Sequence, residues 1–134
     1  MRATLCATLL CTFPGCLVST NDPTPATGSN SAGSLTIDWT INNSANPNQC
    51  YQSVATDIDI IVTTPSGTAM DEFTKPCIDG VSTIALNPGS YAANMALLDG
   101  AGTERTTWIE LNPFTIYGGS ELSISVDFPA DSFK

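Results

Sequence analysis

Polar and apolar residues alternate with period two along most of this chain from Ser34 onward. Leu35, Ile37, Trp39 and Ile41 face one way and Thr36, Asp38 and Thr40 the other, the pattern of a strand with one buried face. Ile58, Ile60 and Val62 repeat it within Asp57–Thr64. Further strands are predicted over Ala69–Lys75, Val81–Leu86, Ser90–Leu98, the Thr-rich Thr103–Leu111, Phe114–Tyr117 and Leu122–Phe128. Turn residues separate them: Asn42–Asn48, Pro65-Ser66-Gly67, Cys77–Gly80, Asn87-Pro88-Gly89 and Asp99–Gly102. Gly118-Gly119 between two such runs predicts a hairpin. Pro113 demands an edge position or an interruption, because proline cannot donate to a ladder. A helical turn is expected only near Cys50, within Gln49–Thr56. Short strands at this spacing predict an all-β fold, an antiparallel β-sandwich of about seven strands, immunoglobulin-like or prealbumin-like.

The first quarter of the chain breaks this pattern. Met1-Arg2 places one positive charge ahead of an uncharged, largely apolar run from Ala3 to Phe13. Gly15 and Cys16 follow, and the composition then changes abruptly to Ser, Thr, Asn, Pro and Gly. Charge, apolar run and small residues in this order are the features of a secretory signal peptide, here residues 1–15. The apolar run is shorter than the ~20 residues a membrane-spanning helix needs. Residues 16–33 then read as a linker, too poor in apolar side chains to order itself. Random-coil scaling gives it a span of roughly 20–25 Å. Residues 34–134 remain as one domain, large enough for its own core.

Phe13-Pro14-Gly15-Cys16 resembles the lipobox of bacterial lipoproteins, in which a peptidase cuts before a cysteine that receives lipid. Phe13 and Pro14 stand where that family usually has Leu and a small residue. The resemblance implies an acyl anchor on Cys16 and a membrane as the first partner. Leu17 stands where an Asp would imply retention at the inner membrane, so the resemblance points to the outer membrane. The alternative is an ordinary secretory signal cut elsewhere. Cleavage before Cys16 would remove Cys6 and Cys11, and lipid would consume Cys16. Cys50 and Cys77 are then left as a pair in an exported protein, the condition for a disulfide. Closing that loop gives about 3–4 kcal/mol in the chain-entropy model.

Leu86-Asn87-Pro88-Gly89-Ser90-Tyr91 is similar to the Leu-x-Pro-Gly-x-Tyr corner of fibronectin type III domains and of carboxypeptidase regulatory-type sandwiches. The resemblance implies that the Tyr91 hydroxyl folds back onto backbone near the corner.

Charge and composition narrow the function. The chain carries a net charge of −9, with four basic residues against thirteen acidic ones. Loss of Arg2 with the signal would leave Lys75, Arg105 and Lys134 and a balance of −10. Nucleic acid is excluded as a partner, because three scattered cations cannot displace phosphate counterions. There is no histidine, so Ser-His-Asp and Cys-His catalytic systems are absent. No P-loop, dinucleotide fingerprint or G-x-S-x-G elbow is present, and no cofactor is implied. Asp57 and Asp59 share a strand face about 7 Å apart, a carboxylate pair best read as solvated outer-face acids. Asp79, Asp99, Asp127 and Asp131 could gather at one end of the sandwich, but without the spacing of a calcium loop. No metal is expected, since a zinc site would also lack ligands beyond the two cysteines. Lys75 and Lys134 are read as solvated lysines rather than cross-link partners.

Trp39 falls on the apolar face of its strand and is expected in the core. Trp108 is flanked at the same parity by Thr106 and Glu110 and is the candidate ligand-binding platform. The expected function is therefore a lipid-anchored cell-envelope protein with a non-catalytic binding or structural module, its partner an envelope protein or a glycan. A secreted carbohydrate- or small-ligand-binding module is the alternative.

Overall fold

The computed structural model describes residues 31–134. The signal segment 1–15, the lipidation candidate Cys16, and the linker as far as Asn30 lie outside the described residues.

Seven strands form two sheets. In chain order they are β1 (Gly33–Ile41), β2 (Asp57–Thr63), β3 (Ala69–Pro76), β4 (Val81–Leu86), β5 (Gly89–Leu98), β6 (Ile109–Ile116) and β7 (Glu121–Phe128). One sheet has the order β4-β1-β7 and the other β3-β2-β5-β6. The all-β sandwich expected from the alternation is therefore the fold. Its core is the sum of the inward parities: Leu35, Ile37, Trp39 and Ile41 from β1, Ile58, Ile60 and Val62 from β2, Met95 and Leu97 from β5, and Phe128 from β7. Trp39 is 3% exposed, and its indole Nε1 donates to the Cys77 carbonyl at 2.9 Å. That bond satisfies the one polar atom the ring carries into the core.

The Gly118-Gly119 hairpin does not form. β6 pairs with β5, whereas β7 crosses to the other sheet and runs parallel to β1. The reason lies in the incoming chain. Gly119, at φ 70°, donates its N–H to Ala32, and Ser34 donates to Ser120. The turn is thus held by the segment that leads into β1, and β7 leaves it alongside β1. Leu35, Ile37, Trp39 and Ile41 then stand beside Leu122, Ile124, Val126 and Phe128 in register, so both inward faces are apolar together. Gly33 is required at this crossing: a Cβ there would lie 2.4 Å from the Tyr117 carbonyl oxygen.

Other departures are local. The strand expected over Thr103–Leu111 starts only at Ile109. Before it the chain makes isolated bridges, Leu98 with Glu104 and Thr106 with Phe133. Pro113 sits in edge strand β6 where the register with β5 shifts between Tyr91 and Ala93, which spares the ladder a missing donor. Asn42 and Asn43 both take positive φ, 53° and 58°, and Ile41 and Ser44 exchange backbone hydrogen bonds around them. This is a two-residue turn of the type Asn tolerates. A five-residue helix, α1 (Asn48–Gln52), supplies the helical turn expected near Cys50.

The corner motif behaves as its resemblance implies. Tyr91, 7% exposed, donates its hydroxyl to the Asn87 carbonyl at 2.8 Å. Tyr91→Phe keeps the ring and removes that bond. It should lower stability by about 1 kcal/mol, read as a shift of the urea midpoint at unchanged slope.

Candidate functional site

Three regions hold the residues to which chemistry can be attached. The strand directions place them. Residues 31–33 enter beside the 117–120 turn, at the same end as the turn that joins β2 to β3. The opposite end carries α1, the Cys77–Gly80 turn, the 99–108 connection and the C-terminal residues.

That opposite end is stapled. Cys50 on α1 and Cys77 after β3 form the expected disulfide, with Cα atoms 6.0 Å apart. Both cysteines are buried. The bridge ties the connection between β1 and β2 to the connection between β3 and β4, and a cleft of about 20 Å³ remains between them. Around it stand apolar side chains in solvent: Tyr51 at 68%, Val54 at 60% and Ile78. Val54 also takes φ 56°. The left-handed region costs an L-residue about 1–2 kcal/mol, and a β-branched side chain rarely accepts it.

Trp108 lies at the same end, on the side of β5 and β6. It is half-buried, and its Nε1 donates to Glu104 at 2.8 Å. Glu104 in turn pairs with Lys134, and the hydrogen bonds from Lys134 and Trp108 hold the Glu104 carboxyl below the usual range. The indole is therefore clamped in orientation. The outward parity assumed for Trp108 holds at Glu110, which is exposed, and fails at Thr106, which is fully buried. The Thr106 Oγ1 accepts the Leu97 N–H at 3.0 Å. The irregular chain before Ile109 turns Thr106 inward, which alternation could not foresee.

The carboxylate pair is also different from its expectation. Asp57 is half-buried and accepts from the Thr56 hydroxyl at 2.8 Å. Asp59 is not solvated: it is 6% exposed, at the centre of the four-stranded sheet between Thr74 of β3 and Ala96 of β5. Burial pushes its carboxyl above the usual range, and the neighbouring Glu72 charge adds to the shift. Asp99 moves the other way, because the N–H groups of Thr103 and Ala101 both point at its Oδ1 at 2.9 Å. Asp99 is a turn-former, and Asp127 likewise accepts from Thr40 and from the Asn43 N–H. Among the described residues no three His, Cys, Asp or Glu side chains gather as a metal site. Lys75 lies within β3, opposite Ile58.

Sequence reasoning missed a fourth feature, a groove of about 320 Å³ on the outer face of the four-stranded sheet. Ala92 lies on its floor, and the Pro65–Gly67 turn and the Asn112-Pro113 bulge flank it. Asn94 and Glu110 project into it from paired positions on β5 and β6. The signal was present as Pro113 and two asparagines, but only the register brings them together.

No protein-family model matches the chain, and no curated protein matches its sequence. Among solved structures, it is similar to a candidate adhesin from Bacteroides ovatus at 9% identity and a TM-score of 0.40. The match covers 70% of this chain and 45% of that one, so this chain spans less than half the length of that protein.

Two substitutions test the energetics of these regions. Val54→Asn relieves the strained backbone and should raise stability by about 1 kcal/mol, measured by urea unfolding. Asp59→Asn tests the buried carboxyl. A raised folded-state pKa means the folded chain binds the proton more tightly than the unfolded one. The contribution of Asp59 to stability therefore falls as the pH rises above the ordinary Asp value of 3.8. The Asn variant should gain on wild type as the pH climbs from 3 towards neutrality, and paired thermal melts across that range would show the gap widening.

Proposed function

We propose that this protein is a lipid-anchored, non-catalytic binding module of the bacterial cell envelope, held at the outer membrane through Cys16. The observation that carries the reading is the Cys50–Cys77 disulfide at the end of the sandwich remote from where the chain enters. A disulfide needs an oxidising compartment, which fits export by the 1–15 signal. Its position fits a module that is tethered at one end and rigid at the other.

Composition supports the non-catalytic part. No histidine is available as a base, both cysteines of the domain are consumed in the bridge, and Asp59 is enclosed in the sheet. What remains is surface: a clamped Trp108, exposed Tyr51, Val54 and Ile78, and the polar groove. These are means of recognition, with an envelope protein or a glycan as the partner. No helix among the described residues is long and apolar enough to cross a membrane. The acyl chains on Cys16 are the anchor in this reading.

The full chain expressed with its own signal in a bacterial host should have an intact mass equal to residues 16–134 plus acyl chains. Reduction should add the two hydrogens that one disulfide takes up. A mature mass without lipid would overturn the anchor, and an unchanged mass on reduction would overturn the bridge.

A further inference from the structure

We propose that the groove on the outer face of the four-stranded sheet binds a neutral oligosaccharide. The inference rests on the reading of this domain as a binding module and names its ligand class.

The backbone beneath the groove is already used. β5 pairs with β2 on one side and, apart from the bulge opposite Ala92, with β6 on the other, so most of the N–H and C=O groups there lie in ladders. Recognition must come from side chains. Asn94, Glu110 and Asn112 supply it. Among the described residues, none of these three side chains hydrogen-bonds to another protein group. A few polar groups converging on one concavity without internal partners are what a ligand site needs.

Their chemistry selects the ligand. An amide presents a donor and an acceptor side by side, and a carboxylate presents acceptors only. A sugar hydroxyl both donates and accepts, so vicinal hydroxyls match two amides and one carboxylate. The C–H surface of a sugar ring has counterparts too, in Pro65, Pro113 and the Ala92 floor. An anionic ligand is disfavoured by Glu110. No cation among the described residues compensates, because Lys75 stands on edge strand β3 and Arg105 and Lys134 lie at the far end. A peptide adding as a strand would pair in the plane of the sheet along the free edge of β6, whereas the groove lies on the sheet face above β5. Trp108 extends the same line. It stands just ahead of β6, two residues before Glu110 and at most about 7 Å from it along the backbone. A glycan longer than the groove would reach its ring, which is fixed by Glu104.

Isothermal titration of the full chain with neutral cello-, xylo-, manno-, malto- and chito-oligosaccharides, and with an oligogalacturonide as the anionic control, tests the proposal. The expected result is saturable one-to-one binding of at least one neutral series. Asn94→Ala and Asn112→Ala should each weaken it about tenfold, with thermal melts unchanged because neither side chain is buried. Trp108→Ala should weaken only the longer members. The proposal is overturned by no saturable heat from any neutral sugar at ~10 mM, by binding that ignores both asparagine substitutions, or by preference for the oligogalacturonide. A lipidated mass with no sugar binding would sink this inference and leave the anchored module standing. Sugar binding by an unlipidated chain would do the reverse.

Discussion

Everything in this fold hangs on β1 being paired on both sides. It is the central strand of its sheet, antiparallel to β4 and parallel to β7. Its inward residues Leu35, Ile37, Trp39 and Ile41 are each at most 3% exposed. Burying four such side chains on one strand is worth several kcal/mol, at ~1.5–3 kcal/mol each. The parallel partner makes this possible, because a hairpin across Gly118-Gly119 would have left β1 as an edge and its apolar face half covered. The choice between the two topologies is made by the hold of Ala32 and Ser34 on the 117–120 turn.

Trp39 carries that order outward. Its indole is packed in the core, yet its N–H ends on the Cys77 carbonyl, and Cys77 is bonded to Cys50 on α1. One side chain thus couples the sandwich interior to the two connections at the far end. The surface there can display Tyr51 and Ile78 and tolerate a strained Val54 because its framework is fixed from beneath.

Much of this was legible in the chain, and what was not has a common cause. Period-two alternation located β1, β2, β5 and β7 and their buried faces, since an alternating apolar stripe has one energetically sensible orientation. Leu86–Tyr91 disclosed its corner because Pro-Gly and a tyrosine two residues on are a local device. Cysteine count and compartment were enough for the bridge. Pairing between distant segments was hidden: Gly118-Gly119 looks the same whether the next strand folds back or crosses over. Asp59 looked solvated because alternation assigns a face and says nothing of what flanks it across the sheet. The groove was invisible for the same reason, as Asn94 and Asn112 meet only through the β5–β6 register.

The parallel run of β1 beside β7 has one more consequence, and it concerns mechanical load. Residue 33 leaves the sandwich at one end and residue 128 at the other. Tension applied between the start of β1 and the end of β7 would drag these adjacent strands past each other along their own axes. The hydrogen bonds from Ser34 beside Glu121 to Ile41 beside Phe128 would then share the force at once, in shear, instead of opening one at a time like a zip. The arrangement that hides the apolar face of β1 also makes this strand pair resistant to extension along its length.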